Sequence, residues 1–197
     1  MKFRFLRKLH LFFQAFVRSG SDTQDPKYRL GVGIMLVNKQ GKIFVGKRTG
    51  YSEWQMPQGG VDFYQKKPEP SLKAAWRELW EEVGVQEQCQ LVTHTRQAYS
   101  YDFPPFSFRK FNLWKLWFNG QKQIWYGFLF SGTDSDIDLN ATIHPEFTAW
   151  KWIDKQELIA DCTSFKRSVY VGVLKELWPF MEAALSSSSP VTEDSVL

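Results

Sequence analysis

The sequence predicts an α/β domain in which a mixed β-sheet carries helices on both faces. Short apolar runs rich in β-branched residues, which are typical of buried strands, occur before and after one amphipathic helical segment at Pro70 to Gly84. A longer helical pattern follows at Ser164 to Leu185. The chain of 197 residues is long enough for one domain with additions at its ends and a sizeable core.

Two strands joined by a turn are predicted ahead of the first helix. Tyr28 to Val37 is apolar and β-branched, and Lys42 to Arg48 returns as its hairpin partner after the turn Asn38-Lys39-Gln40-Gly41. Ser52 to Gly60 is expected to be a loop that leads into the helical segment.

Further strands are predicted after the helix, at Leu91 to Thr95, Gln97 to Tyr101, Gln123 to Ser131 and Thr148 to Ile153. Pro104 and Pro105 interrupt the chain, and the segment Phe106 to Asn119 is aromatic and basic without a clear period. Asp154, with Glu157 three residues later, predicts a capping box at the start of a short helix.

The first 21 residues have the pattern of a basic amphipathic helix, with no acidic residue before Asp22. Large aromatic and aliphatic residues share one side of the helical projection and basic residues share the other, which is typical of segments that bind a membrane surface. The apolar run is too short to span a bilayer. Peripheral membrane contact through residues 1–20, an organelle presequence, a helix docked on the domain and a self-association arm all stay open.

Composition limits the class of protein and its partners. The net charge of +4 is compatible with a polyanionic partner but does not require one, and the aromatic content of 17% supplies rings for a core or for stacking on nucleobases. The two cysteines, Cys89 and Cys162, lack metal-type or redox spacing, which argues against a disulfide scaffold and favours a reducing compartment.

The helical segment has an apolar face and an acidic face. Pro70 and Ser71 suit its first turn, and Gly84 suits a left-handed C-terminal cap. At about 100° per residue, one face that is expected to pack into the core comprises Leu72, Ala75, Trp76, Leu79 and Val83.

Glu78, Glu81 and Glu82 lie within about 100° of one another on the adjoining face. Like charges at this spacing repel, and a bound cation would reverse the sign of that interaction. Oxygen ligands favour a hard ion such as Mg²⁺. Spacing alone also fits a solvated acidic face with Lys73 and Arg77 as neighbours, because glutamate is common on helix surfaces.

The segment from Gly59 to Val85, GGVDFYQKKPEPSLKAAWRELWEEVGV, resembles the Nudix box. The family hydrolyses nucleoside diphosphates linked to another group, and its box glutamates hold divalent metal. The resemblance implies an α/β/α sandwich, Mg²⁺ or Mn²⁺ as cofactor, and a structural pair between Glu69 and Arg77. It assigns Glu78, Glu81 and Glu82 as metal ligands, and Gly59, Gly60 and Gly84 as structural positions of the box.

One departure from the box lies between its first glycine and its first glutamate. Nine residues separate Gly59 from Glu69, whereas the family leaves five. Lengthening a surface loop by so little costs only a fraction of a kcal/mol in closure entropy. We therefore expect the helix ligands to be retained, whereas the place of Glu69 stays open.

The resemblance extends over Tyr28 to Leu185 and points to one branch of the family, the RNA pyrophosphohydrolases and dinucleoside polyphosphate hydrolases of bacteria and plants. The motifs that carry it are YRxxVG at 28–33, WQMPQGG at 54–60, YDFPP at 101–105, GQKQ at 120–123, PEF at 145–147 and SFKR at 164–167. They imply a Nudix hydrolase domain at 25–185. The basic amphipathic pattern predicts an arm at 1–24, and the polar composition of SSSSPVTEDSVL predicts a disordered tail at 186–197.

Carried over by position, Glu146 is a fourth metal-binding carboxylate. The catalytic candidates are Glu78, Glu82 and Glu146, with Glu78 the first choice of base and Glu146 the second. The implied substrate-binding residues, several of which would otherwise pass for core or solvated surface groups, are Arg29, Lys47, Arg48, Tyr101, Gln123, Phe165 and Lys166.

Three functions follow from this resemblance. The first is hydrolysis of 5′-triphosphorylated RNA to pyrophosphate and 5′-monophosphate RNA, a step of RNA decay. The alternative is asymmetric hydrolysis of dinucleoside polyphosphates such as diadenosine tetraphosphate, which the QMPQGG and YDFPP segments favour. The third is a non-catalytic nucleotide- or RNA-binding module, which would not need the full carboxylate set. A bacterial-type cytoplasmic enzyme is expected; the oligomeric state is not predicted.

Overall fold

A mixed β-sheet between two layers of helix forms the centre of the protein in the computed structural model, which describes residues 28–50, 52–65, 67–103, 118–162 and 164–188. The described strands are β1 (Tyr28–Asn38), β2 (Ile43–Arg48), β3 (Trp54–Gln55), β4 (Gln58–Gly60), β5 (Phe63–Tyr64), β6 (Lys67–Pro68), β7 (Cys89–His94), β8 (Tyr99–Asp102), β9 (Gly120–Phe130) and β10 (Phe147–Ile153). The described helices are α1 (Ser71–Val83), α2 (Lys155–Asp161) and α3 (Ser164–Ser188).

The main sheet has the strand order β10-β2-β1-β9-β7. Three short strands pair beside this path, β3 with β2, β4 with β1 and β8 with β9. β1 and β9 run parallel along their whole length at the centre, whereas the other pairs are antiparallel. The predicted mixed sheet is therefore confirmed.

β1 is buried on both faces because helices cover both sides of the sheet. Val32, Ile34 and Leu36 belong to a core that includes the buried residues of α1. Met35 and Val37 point the other way, into a core shared with α2 and α3. This alternation follows from the two-residue period of a strand and gives the predicted α/β/α layering.

Two expectations about local structure are wrong in part. The segment 52–60, expected to be a loop, contains β3 and β4, because its backbone pairs with β2 and β1. Leu72 was expected in the core of α1, but it is 37% exposed, and Ala74 is buried instead. Ala75, Leu79 and Val83 are buried as predicted.

The predicted capping box at the start of α2 does not form. Asp154 is the N-cap residue but makes no side-chain cap hydrogen bond. Its carboxylate instead accepts from Lys42 Nζ at 2.7 Å, and Glu157 pairs with Lys151. Lys42, in the turn before β2, and Lys151, on β10, thus compete successfully for both carboxylates of the box.

The boundaries of the chain's ends are only partly described. α3 continues to Ser188, three residues beyond the predicted end of the domain. The arm at 1–24, most of the segment 106–119 and residues 189–197 lie outside the described residues. In the described part of the chain, no helix combines the length and apolar character that crossing a membrane requires.

Candidate active site

Helix α1 carries two of its three acidic residues, Glu78 and Glu82, on the side that faces the sheet. It ends where predicted, at Gly84, whose φ of +79° is left-handed and whose N–H donates to the carbonyl of Trp80. Glu78 and Glu82, one turn apart, are buried at 7% and 2% exposure. The backbone N–H of Gln58 on β4 donates to Glu82 Oε2 at 2.9 Å, which fixes this carboxylate against the sheet.

The glycine pair on β4 is required by close approach of side chains. A Cβ at Gly59 would lie 1.9 Å from the carboxyl carbon of Glu78, and one at Gly60 would lie 2.0 Å from Arg29 Nη2. Neither glycine has a positive φ. The two positions therefore need glycine because Glu78 and Arg29 occupy the space that a side chain would fill.

Glu69 and Arg77 form the pair that the resemblance implies. Arg77 donates to Glu69 Oε1 from Nη2 at 2.6 Å and from Nε at 3.2 Å, and it also donates to the Gly60 carbonyl at 2.8 Å. Glu69 is 5% exposed, and its Oε1 also accepts from the Asp62 backbone N–H. The additional length falls within the β5–β6 hairpin between Asp62 and Glu69.

The buried carboxylates resist ionisation in the metal-free protein. Burial, opposed by Arg77 and reinforced by Glu81 and Glu146, raises the pKa of Glu78 to about 7. Burial, together with the charges of Glu146 and Glu78, raises the pKa of Glu82 well above its ordinary value. These carboxylates therefore lie in a site that favours added positive charge.

Glu146 lies opposite α1, immediately before β10, and is exposed. Its carboxylate pairs with Arg48 Nη2 at 2.8 Å. It nevertheless acts on the pKa values of both Glu78 and Glu82 through its charge. The structure thus brings the predicted fourth carboxylate into the electrostatic neighbourhood of the helix pair.

The donor set suits a hard divalent ion, although the side chains do not enclose one. Glu82 Oε1 is buried without a hydrogen-bond partner, and all the candidate donors are carboxylate oxygens. Over the described ranges, no three acidic, histidine or cysteine side chains converge as a metal-holding group. Arg77 instead forms ion pairs with two of these carboxylates, with Glu78 at 2.6 Å and with Glu81 at 3.4 Å. The ligand assignment therefore stays a prediction.

The predicted substrate-binding residues lie on two sides of the carboxylates. Arg29 is packed against Gly60. Burial lowers its pKa, and the charges of Glu78, Asp62 and Glu146 oppose this shift only in part. Phe165, at the start of α3, is half-buried with its ring 5.6 Å from that of Tyr101. Phe165 therefore packs on the core but keeps part of its surface exposed.

Lys166 is a buried cation held by two glutamines. Its Nζ donates to Gln55 Oε1 at 2.7 Å and to Gln58 Oε1 at 3.0 Å. Burial, followed by the charge of Arg48, lowers its pKa to about 7, while Glu82 opposes this shift. Two neutral carbonyl groups compensate the ammonium only in part, so Lys166 favours an additional anion beside it.

A chain of buried amides extends from Lys166 across the sheet. Gln58 Nε2 donates to the Tyr101 hydroxyl at 3.1 Å. Gln121 Oε1 accepts from the Tyr101 hydroxyl and from Gln123 Nε2, each at 2.8 Å. Gln123 Oε1, by contrast, is buried without a hydrogen-bond partner.

Sequence reasoning assigned no role to Gln55, Gln58 or Gln121. The first two lie inside the WQMPQGG motif, and Gln121 precedes Gln123 by two residues on β9. Gln121 and Gln123 are two residues apart next to an apolar run, so on a strand both side chains must point to the same face. This spacing was the signal available in the sequence.

Lys47 lies apart from the carboxylates in the contacts it makes. Its Nζ is 5.9 Å from the ring centroid of Trp54. The Nζ of Lys151 lies 5.0 Å from the same centroid. Its role in phosphate binding stays a prediction.

Comparison with known proteins agrees with this arrangement. A model of the NUDIX domain family matches residues 27–171. A protein of Rhodospirillum rubrum named RNA pyrophosphohydrolase is 47% identical over 154 residues, which cover 78% of this chain and 88% of that protein. A protein of Wolbachia pipientis wMel with the same name is 43% identical over 170 residues, which cover 84% of this chain and 98% of that protein.

Solved structures share the fold at low sequence identity. The E. coli dihydroneopterin triphosphate pyrophosphohydrolase matches 75% of this chain and 98% of its own, with a TM-score of 0.56 and 18% identity. A C. elegans Ap4A hydrolase matches 81% of this chain and 98% of its own, with a TM-score of 0.51 and 17% identity. From the family match and these close relatives, the chain belongs to the Nudix hydrolase family, whose members act on pyrophosphate bonds.

Proposed function

We propose that this enzyme hydrolyses 5′-triphosphorylated RNA, releasing pyrophosphate and leaving 5′-monophosphate RNA. The observation that carries the proposal is the likeness to RNA pyrophosphohydrolases, which at 47% identity spans 88% of the Rhodospirillum rubrum protein. The site adds chemical support, because the charge of the buried Glu82 acts on the buried Lys166, whose Nζ lies 5.6 Å and 6.0 Å from the ring centroids of Tyr101 and Phe165.

Glu78, Glu81, Glu82 and Glu146 are the residues that would hold Mg²⁺ or Mn²⁺ in this proposal. When bound, the divalent ions neutralise phosphate oxygens and lower the pKa of water. Glu82 is held by the Gln58 N–H, which orients its free oxygen, and Glu81 lies at the more exposed edge. Arg77 must yield some of its contacts with Glu78 and Glu81 when ions take these oxygens.

Glu78 is our first candidate for the group that accepts the proton of the attacking water, and Glu146 is the second. Burial raises the pKa of Glu78 to about 7 in the metal-free protein. As the base, Glu78 would take the proton on a carboxylate oxygen that the bound ions leave open.

The cationic residues hold the phosphate chain and the first nucleotide. Lys166 and Arg48 supply charge opposite the carboxylates, and Gln123 Oε1 is a buried acceptor facing no protein donor. Arg29 and the exposed part of Phe165 would flank the first nucleobase, by cationic contact and by stacking.

Asymmetric hydrolysis of a dinucleoside polyphosphate is the alternative, since such a substrate also presents phosphates and a nucleobase to these groups. The test compares initial rates on a 5′-triphosphorylated oligoribonucleotide and on diadenosine tetraphosphate, each with Mg²⁺ and with chelator. We expect faster, chelator-sensitive pyrophosphate release from the RNA. Faster cleavage of diadenosine tetraphosphate would overturn the proposed substrate in favour of the alternative.

A cytoplasmic site of action is proposed with this function, since Cys89 and Cys162 are both free thiols. Peripheral membrane contact through residues 1–20 is a separate proposal that rests on the basic amphipathic pattern. Co-sedimentation with anionic vesicles tests it: equal pelleting of the full chain and of a variant beginning at Asp25 would rule it out.

A further inference from the structure

The β5–β6 hairpin is the part of the Nudix box that departs from the family pattern, and no step of the proposed chemistry uses it. Phe63 pairs with Pro68 and Tyr64 pairs with Lys67 in an antiparallel register. Gln65 adopts a left-handed φ of +49° at the turn. The hairpin therefore carries Tyr64 and Lys67 away from the sheet and into solvent.

The base of the hairpin is fixed to the active site. The Glu69 N–H donates to the Asp62 carbonyl at 2.8 Å, which closes the hairpin, and Asp62 lies 3.9 Å from Arg77 Nε through its carboxylate. Val61 N–H donates to the Leu30 carbonyl, next to Arg29. A hairpin anchored at these points has a defined position relative to the carboxylates and to Arg29.

The exposed side of the hairpin has the chemistry of a single-stranded nucleic acid contact. The Tyr64 ring is 55% exposed, with Lys73 Nζ 5.8 Å from its centroid, and Lys67 is its exposed cross-strand neighbour. Aromatic rings stack on bases of any sequence, and lysines beside them neutralise backbone phosphates. This group of Tyr64, Lys67 and Lys73 is called the hairpin platform below.

The distance from the platform to the carboxylates suits a polymer. Lys73, Arg77 and Glu81 follow one another at four-residue intervals on the same side of α1. At about 1.5 Å per residue, Lys73 lies about 8 Å along the helix axis from Glu78 and about 12 Å from Glu81. Stacked nucleotides rise about 3.4 Å each, so this separation is longer than two stacked nucleotides.

We propose that the hairpin platform binds the nucleotides that follow the first one in a 5′-triphosphorylated RNA, and so favours oligomeric RNA over short substrates. The inference rests on the proposed function, because it needs an RNA whose 5′ end lies at the carboxylates. Arg29 connects the two regions, since it lies against Gly60 at the root of the hairpin and would flank the first base. The chain of the RNA then continues from the first nucleotide along the platform.

Kinetics on two substrate lengths test the proposal. Tyr64→Ala should lower kcat/KM for a 5′-triphosphorylated octaribonucleotide about 5- to 10-fold, through KM, since base stacking has that effect. The loss on a triphosphorylated dinucleotide should stay under about twofold, because it is too short to reach the ring. Tyr64→Phe keeps the ring and should restore octamer activity. Equal losses on both lengths, or none on the octamer, would overturn the proposal.

Binding without turnover separates this proposal from the proposed function. We would measure fluorescence anisotropy of a 5′-monophosphate octaribonucleotide over a range of salt concentrations. Lys67→Ala should lower the salt dependence of log Kd by about 0.7, the value for one phosphate contact on a single strand. Lys175→Ala, a matched lysine on the exposed side of α3, should leave the slope unchanged.

The two proposals fail in different ways. Absence of pyrophosphate release from the octamer by the unsubstituted enzyme would refute the proposed function. Release by that enzyme, together with equal octamer affinity and salt slope in the Tyr64→Ala and Lys67→Ala variants, would refute the platform alone. Circular dichroism and thermal melts confirm that each variant is folded before it is compared.

Discussion

Arg77 donates two hydrogen bonds to a single oxygen of Glu69, at 2.6 and 3.2 Å, although nine residues instead of five separate Glu69 from Gly59. The β5–β6 hairpin accounts for this, because it leaves and returns at neighbouring points, Asp62 and Glu69. The insertion therefore lies outside the hydrogen-bonded frame that joins the loop to helix α1.

If the insertion is external to this frame, its removal should be tolerated. Deleting residues 64–67 restores the five-residue spacing and joins Phe63 to Pro68. We expect a thermal midpoint within about 4 °C of the unsubstituted protein, which corresponds to about 1 kcal/mol for a domain of this size. Retained activity on a triphosphorylated dinucleotide, measured by pyrophosphate release, checks that the carboxylates remain in place.

A substitution of Arg77 is the contrasting change, because it alters the hydrogen bonds that join the loop to helix α1. Arg77→Lys removes the fork that contacts Glu69, Glu78 and the Gly60 carbonyl together, so both stability and turnover should fall. A larger thermal loss in the deletion variant than in Arg77→Lys would contradict this account of the insertion.

Glu82→Gln tests the proposed metal ligands and the electrostatic cost of the site together. Turnover with Mg²⁺ should fall by at least about 100-fold, in line with losing one charged ligand in a metal-assisted reaction. The metal-free protein should melt higher at alkaline pH, because glutamine removes the cost of ionising a buried carboxylate beside Glu146 and Glu78. Glu157→Gln, on α2, is the matched control and should keep activity. Near-normal turnover in Glu82→Gln would refute the assignment.

The stability of the metal-free protein should depend on pH in two directions. Glu78 has a pKa of about 7 in the folded state against 4.5 ordinarily, so the folded state holds its proton more tightly. The free energy of unfolding should therefore fall as pH rises from about 5 to 7, and the raised pKa of Glu82 acts in the same direction. Lys166 has a pKa of about 7 against 10.5, so its contribution rises again above pH 7.

Thermal melts in chelator at pH 5, 7 and 9 measure this dependence. Substituting Glu78 and Glu82 together by Gln should remove most of the fall between pH 5 and 7, and saturating Mg²⁺ should reduce it by favouring the charged carboxylates. An increase in stability from pH 5 to 7 that the double substitution does not alter would contradict the prediction.

Gly59→Ala should damage the site more than the fold. The added Cβ would lie 1.9 Å from the Glu78 carboxyl carbon, so Glu78 must move away from its place beside Arg77. Turnover should fall at least about tenfold, since small misplacement of a reacting group has that effect. Gly41→Asn is a suitable control, because asparagine tolerates a left-handed φ and the nearest atom is 3.6 Å away. Equal turnover in the two variants would argue against this packing role.

Gln121→Met tests the buried amide chain. Methionine has a similar volume but no strong acceptor, so the Tyr101 hydroxyl and Gln123 Nε2 lose the oxygen that both share. We expect a loss of about 1–3 kcal/mol in the free energy of unfolding by urea titration, typical for unsatisfied buried donors. Gln90→Met, at an exposed position of β7, should change stability little. A small effect at Gln121 would mean that water replaces its oxygen.

Local patterns were sufficient for helix α1, for the central strands and for the order of the carboxylates. Helix α1 runs from Ser71 to Val83 with Gly84 as its left-handed cap, as the turn residues predicted, and the central strands fall within a few residues of their apolar runs. Such features depend on neighbours in the chain, whose period and capping chemistry can be read without knowing the partner elements.

Long-range contacts decided the rest. Glu82 is buried because β4 covers it, whereas Glu81, one residue away, is held at the edge by Arg77. Lys166 becomes a buried cation only because Gln55 and Gln58, over 100 residues earlier, supply its acceptors. The capping box of Asp154 failed for the same kind of reason, since Lys42, in the turn before β2, binds its carboxylate. A side chain's burial and its hydrogen-bond partners are set by whichever element packs against it, and that choice is made when the sheet assembles.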